Sequence, residues 1–150
     1  MVTHPFVTPG RLVITIGNLL YAIGAFAADW NETHVKNPKW PPHARFHNGQ
    51  TMSLGVLLAS TSLYFAYRPC LAGASTKPIM QARDSLFYSA VIGSFYCASG
   101  LSAILYPGTD WKDPDIEFGG GQPVLFSGVV ASMWIGYILE MSRLGKTKAS

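Results

Sequence analysis

Four long stretches of this chain carry no Asp, Glu, Lys or Arg, and no other feature restricts its possible folds so tightly. The first, LVITIGNLLYAIGAFAA, fills the space between Arg11 and Asp29. The others run from Asn48 to Tyr67, from Ser85 to Thr109 and from Gly119 to Leu139, the last closed by Glu140. Each approaches the ~20 apolar residues that cross a hydrocarbon core of ~30 Å at a rise of ~1.5 Å per residue. Backbone amides find no water to bond inside lipid, so such stretches are expected to be helices. Composition agrees: 49% of the 150 residues are apolar and 13% are charged, against roughly a quarter charged in soluble domains. The predicted architecture is all-α, a single four-helix transmembrane domain over residues 1–150 with spans at about 12–29, 48–67, 85–106 and 121–140.

The span ends carry matching punctuation. Gly10 and Arg11 precede the first, and Asp29 with Trp30 ends it. Pro41 and Pro42 open a turn of helix ahead of the second, which Arg68 and Pro69 are expected to stop. Ser85 follows Asp84 at the start of the third, and Pro107 with Gly108 ends it. Trp30, Trp40, Tyr64, Tyr67, Tyr106 and Trp111 gather near these ends, where amphipathic rings favour the membrane interface. Small residues inside the spans, among them Gly17, Gly24, Gly93 and Gly100, let helix backbones approach closely. The first apolar run exceeds the ~7–15 residues of a signal-peptide core, so it is expected to be retained as an anchor.

Four spans place Arg11, Arg68, Lys77, Arg83, Arg143, Lys146 and Lys148 on one side and Lys36, Lys39, Arg45 and Lys112 on the other. The positive-inside rule then puts both termini in the cytoplasm. The opposite loops hold six of the eight acids and three of the four histidines. The positive charges are scattered, the net charge is only +3, and Cys70 and Cys97 are too few for a disulfide framework. Nucleic acid is therefore not an expected partner.

The chemistry concentrates between the first two spans. The segment from Asp29 to Gln50 combines three His, two acids, three Asn, an Arg and two Trp. On a helix started by Pro41 and Pro42, His43, His47 and Gln50 share one face and Arg45 takes another. Asn48 and Gln50 sit where that helix enters the apolar core, and a short loop brings Asp29 and His34 towards the His43/His47 face. One reading is a general acid/base pocket in which Asp29 or Glu32 orients a histidine or accepts a proton, while a protonated His or Arg45 stabilises a developing oxyanion. A second is a metal site built on His43-x3-His47 with His34. A third has these groups capping helices and binding lipid headgroups. A His-x3-His pair recurs by coincidence, so no metal and no cofactor are expected.

Three other features bear on the site. Asn18 lies in the middle of the first span, where an amide facing lipid is costly, so it should point into the bundle, lining a cavity or bonding another helix. The loop Thr109-Asp110-Trp111-Lys112-Asp113-Pro114-Asp115-Ile116-Glu117 lies on the same side as the histidines. Its Asp110 either completes the pocket or stays solvated with the other acids. Glu140 and Arg143, three residues apart, are expected to form a helix-surface ion pair.

The run ADWNETHVKNPKWPPHARFHNGQTM resembles a motif of small four-helix membrane proteins of fungi and bacteria. Within that group it resembles the membrane-bound epoxide hydrolases of fungal polyketide pathways of the citreoviridin and aurovertin type. The resemblance implies secondary metabolism, a lipophilic polyene epoxide supplied by a flavin monooxygenase, and opening of that epoxide by water or an internal hydroxyl, as a hydrolase or cyclase. Residue chemistry then assigns Asp29 as base, oriented by Asn31 or His34, His43 or His47 as acid, and Arg45 as electrostatic support. Trp30, Trp40, Phe46 and Trp111 would wall the substrate site, with Asn18, Asn48 and Gln50 as further binding groups. Two other classes fit the same residues: an isomerase or cyclase of another lipophilic metabolite, of the emopamil-binding type, and a non-catalytic lipid-binding membrane partner. The expected partners are a lipophilic small molecule, membrane lipid and, on packing grounds, a second copy. The expected location is the endoplasmic reticulum membrane, crossed several times.

Overall fold

The computed structural model describes residues 5–71, 78–112 and 121–149. It contains four α-helices: α1 (Pro9–Asp29), α2 (Pro42–Leu71), α3 (Pro78–Ser102), which continues into a short 3-10 turn at Ala103–Leu105, and α4 (Gln122–Ala149). The described residues contain no strand. Thr8 caps α1, its hydroxyl accepting from the Arg11 amide at 3.3 Å, and Pro9 fills a first-turn position that has no amide to satisfy.

The helices form an antiparallel up-and-down bundle. Arg11 meets Ala66, Asn18 meets Ser62 and Asp29 meets Asn48 across α1 and α2. Ser62 meets Ser89 across α2 and α3, and Phe87 packs on Trp134 and Tyr137 across α3 and α4. The α1–α4 pair closes the ring through glycine. A Cβ on Gly10 would stand 2.5 Å from the Gly136 carbonyl oxygen, so these two backbones touch. Gly93 likewise leaves room for Met133 and Ser62, whereas Gly24 has no neighbour that a Cβ would meet.

The core is unusual in what it buries. Ile14, Leu86, Met133 and Leu144 are fully enclosed, but so are Asn18, Ser62 and Ser89. Asn18 donates to the Ile14 carbonyl at 2.9 Å and to the Ser62 hydroxyl at 3.0 Å, and it accepts from the Tyr21 hydroxyl at 2.9 Å. Ser62 donates to the Ser89 carbonyl at 2.8 Å. The outer faces reverse the usual pattern, with Leu12, Ile16, Ile23, Leu57, Phe95, Val124 and Ile138 all exposed. A water-soluble monomer rarely leaves so extensive an apolar surface uncovered.

Three helices, over Pro9–Asp29, Met80–Leu105 and Gln122–Lys146, are long and apolar enough to cross a membrane. The second helix has the length without the same apolarity, because Asn48, Gln50, Thr51, Ser53, Ser60, Thr61 and Ser62 interrupt it. Several of its hydroxyls are turned back onto the helix: Thr51, Ser53 and Thr61 donate to the carbonyls of His47, Gly49 and Leu57 at 3.0, 2.9 and 2.7 Å.

Helix boundaries depart from the charge gaps in three places. Pro69 does not stop α2, which runs on to Leu71, because a proline in the final turn withdraws a donor only where the ladder is about to end. Arg83 and Asp84 lie within α3 rather than ahead of it, and α4 continues beyond Glu140 through Arg143 and Lys146. Charge marks where a helix leaves an apolar medium, and a helix does not end there.

The Glu140–Arg143 pair is not on the surface. Glu140 is 1% exposed and its Oε2 lies 3.6 Å from Nη1 of Arg11, itself 0% exposed. Arg143 donates to the same oxygen from Nη2 and Nε at 2.9 and 3.1 Å. Arg11 further donates to the carbonyls of Ala66 at 2.9 Å and Pro5 at 2.7 Å, tying α1, α2 and α4 together at the end of the bundle opposite Asp29.

Candidate active site

The other end of the bundle holds a cavity of about 520 Å3. All four helices contribute: Tyr21, Gly24 and Asp29 from α1, Thr51 and Leu54 from α2, Tyr96 and Ser99 from α3, and Gln122, Leu125 and Phe126 from α4. Asp110 and Trp111 border it from the segment after α3. Its volume lies in the ~300–1,000 Å3 range typical of small-molecule sites, with mostly apolar walls and polar groups collected towards one end.

Asp29 is the last residue of α1, and the turn that follows fixes it. The Trp30 amide donates to the Phe26 carbonyl at 2.9 Å and closes the helix. Asn31 then folds back: its Nδ2 donates to the Ala28 carbonyl at 2.6 Å, and its Oδ1 accepts from the Thr33 amide at 2.9 Å and hydroxyl at 2.6 Å. The Thr33 hydroxyl meets Nδ1 of His34 at 2.7 Å, and the other ring nitrogen of His34 faces Asp29 Oδ1 at 3.9 Å. The opposite carboxylate oxygen, Oδ2, accepts from Asn48 Nδ2 at 2.9 Å. Asn31 thus fixes the turn that carries His34 towards the carboxylate, and Asn48 holds the carboxylate itself from the first turns of α2. Among the described residues, Oδ1 of Asn48 is buried without a hydrogen-bond partner.

The remaining polar residues of the loop are built into a second arrangement. His43 and His47, one turn apart on α2, approach each other at 3.0 Å between their Nε2 atoms, and His47 Nδ1 lies 3.2 Å from Gln50 Oε1. The shared face expected for these three residues is present, but all three are exposed and none lines the Asp29 cavity. Asn48, only one residue beyond His47, reaches Asp29 because each helical step turns the side chain by about 100°. Phe46 stacks near the His43 ring and is 63% exposed. Arg45 donates from Nη2 to the Asn37 carbonyl at 2.7 Å, and its buried Nε lacks a partner among the described residues. Trp40 packs edge-on against His34 at 5.3 Å, and Trp30 is 55% exposed at the helix end. Of the four aromatic walls named from sequence, Trp111 borders the cavity and Trp30, Trp40 and Phe46 lie outside it.

Asn18 forms an interhelical hydrogen bond and stands below the cavity, not among its lining residues. It supports the floor through Tyr21, whose ring stacks on Tyr96 with centroids 5.1 Å apart. Asp110 borders the cavity and accepts from the Trp111 amide at 2.6 Å. The loop acids Asp113, Asp115 and Glu117 lie outside the described residues. No group of three or more His, Cys, Asp or Glu among the described residues is placed to hold a metal ion.

Tyr21, Tyr96, Ser99, Thr51 and Gln122 are cavity residues that the sequence reading passed over. A signal for the first was available: Asn18, Tyr21, Ala25 and Asp29 recur at helical spacing along one face of α1. Tyr96 has no comparable local mark. It reaches the site because Gly55 on α2 leaves space for its ring, with a Cβ there falling 3.1 Å from Tyr96 Cε2.

Fold and site together define a small all-α bundle, with three helices apolar enough to cross a membrane and a carboxylate-bearing cavity at one end. The chain belongs to DUF6640, a family of unknown function, whose model matches residues 13–150 and so covers the Asp29–Gln50 loop and nearly all of the four helices. No curated protein and no solved structure matches it.

Proposed function

We propose that this protein is an integral membrane enzyme, crossing the bilayer with all four helices, that adds water to an epoxide of a lipophilic polyketide-type substrate by general acid/base catalysis. The observation that carries the reading is the seat of Asp29: a carboxylate clamped by Asn48 at the polar end of a largely apolar cavity. Direct water attack requires a base for the water and a donor for the epoxide oxygen, held apart from each other. Asp29 takes the proton from water as the water oxygen attacks an epoxide carbon. The carbon–oxygen bond breaks, and its electron pair passes to the ring oxygen, which takes a proton from the donor.

For the donor we assign Tyr96, which lines the same cavity as Asp29. Asn48 lies outside the cavity lining and acts through Asp29, its Nδ2 donating to Oδ2 and fixing the carboxylate. The His43–His47 pair and Arg45, being off the cavity, take the role of stiffening the α2 start rather than that of the acid. An intramolecular hydroxyl in place of water would yield a cyclic ether by the same proton transfers.

Crossing by α2 is supported by its place beside three apolar helices and by the back-bonding of its hydroxyls. Cytoplasmic termini follow from the Lys and Arg distribution, and the endoplasmic reticulum is the membrane we propose. The test compares turnover of an alkyl epoxide by the purified protein with that of Asp29→Asn, Tyr96→Phe and His43→Ala. Asp29→Asn and Tyr96→Phe should each lose about 10²–10⁴-fold in kcat, the span of general acid/base effects, with His43→Ala largely active. Full activity in Asp29→Asn removes the proposal.

A further inference from the structure

A second concavity of about 320 Å3 runs along the outer surface between α1 and α4. Val13 and Ile16 form one side, Val124 and Gly128 the other, and its walls are almost wholly apolar. Its single hydroxyl, on Ser132, is spent on the Val129 carbonyl at 2.7 Å. Gly128 keeps the groove open, since a Cβ there would meet nothing within 4 Å. Two residues, Leu20 and Leu125, line both this groove and the Asp29 cavity. The groove and the cavity therefore adjoin, with two leucines, each about half exposed, between them.

We propose that this groove seats an unbranched apolar chain of the substrate and is the lateral portal by which a lipid-dissolved molecule reaches Asp29. The inference rests on the reading of the cavity as the reaction site. A bilayer phospholipid would bring the same acyl chemistry, but its phosphate would have to approach a cavity end holding Asp29 and Asp110. Like charge opposes that placement and favours a ligand neutral at its reactive end. The substrate class that follows is an uncharged epoxide carried on a long apolar chain, entering from the side and leading with its polar group.

The test uses the full chain in phosphatidylcholine nanodiscs. A diazirine-bearing hexadecanol is photolysed with and without the terminal epoxide of hexadecene as competitor, and the labelled residues are mapped by mass spectrometry. Labelling within the peptides holding Val13–Leu20 and Val124–Ser132, competed by the epoxide, is the expected result. Labelling spread evenly over the lipid-facing helices, or not competed, overturns the groove. In parallel, Gly128→Leu and Val124→Phe, both at positions open to the outside, plug it. Each should lower the preference for hexadecene oxide over butene oxide, as a ratio of kcat/KM, by about tenfold. An unchanged ratio overturns the groove even while both epoxides are opened. Competed labelling in a protein that opens neither epoxide upholds the groove and sinks the proposed reaction instead.

Discussion

Replacing Glu140 by leucine should be among the most damaging single changes in this protein, and pairing it with Arg11→Met should repair most of the damage. Arg11 and Glu140 are 0% and 1% exposed and 3.6 Å apart, and the same carboxylate is held by Arg143 at 2.9 Å, so Glu140 is the shared counter-charge of two cations at this end of the bundle. At about 4 Å and an effective dielectric near 20, two unit charges attract by roughly 4 kcal/mol. Removing one partner of a buried pair typically costs about 3–5 kcal/mol, because the other charge is stranded. Arg11 keeps its bonds to the Pro5 and Ala66 carbonyls, which places Glu140→Leu towards the lower part of that range, at about 3 kcal/mol. The double variant removes both fully buried charges but also takes the Glu140 carboxylate from the part-exposed Arg143, so it should recover most of the loss and fall within about 1–2 kcal/mol of the parent. The assay is reversible unfolding in mixed micelles with rising dodecyl sulfate, followed by tryptophan fluorescence and helical circular dichroism. Additive losses across the double-mutant cycle, or a cost for Glu140→Leu below about 1 kcal/mol, would refute the view that the pair stabilises this end of the bundle.

Other consequences are open to the same kind of measurement. Asn18→Leu strands the Tyr21 hydroxyl and removes the link to Ser62, so unfolding in the same micelles should shift by about 1–3 kcal/mol. Gly10→Ala forces α1 away from the Gly136 carbonyl and should cost about 1–3 kcal/mol, whereas Gly24→Ala, with open space at its Cβ, should cost nothing measurable. Burial pushes the Cys70 thiol up, the Arg11 guanidinium drawing it only part of the way back. Less thiolate at pH 8 means slower maleimide labelling of Cys70 in the folded protein than in the unfolded chain. Labelling should accelerate as the pH rises above the usual thiol range, and equal rates at pH 8 would contradict the burial.

The helical content was legible because charge exclusion acts along the chain, residue after residue. The ends of the helices were less legible, since a helix need not stop where charge or proline appears, as α2 runs through Pro69 and α4 beyond Glu140. Asp29 and its loop neighbours Asn31 and His34 could be found from local composition, and Asn48 from its place at the start of α2. The cavity itself could not, because it is made where four helix ends converge and Tyr96, Gln122 and Thr51 are distant from one another in sequence. The histidine pair shows the opposite case. Its spacing was read correctly, and it still faces out, because spacing fixes which residues share a face and leaves open what that face meets. The burial of Arg11 was hidden for a related reason: a charge at a span end looks like a boundary marker until its partner arrives from α4.

The central claim, that Asp29 activates water directly against an epoxide, is tested most sharply by a single turnover in 18O-labelled water. Enzyme in excess over hexadecene oxide would be quenched after one cycle and the diol analysed by mass spectrometry. The account predicts a diol carrying one solvent-derived 18O from the first turnover, and its loss in Asp29→Asn. A first-turnover diol whose new oxygen is 16O would show that a carboxylate attacked the epoxide in place of water, and no diol at all would contradict the reaction altogether.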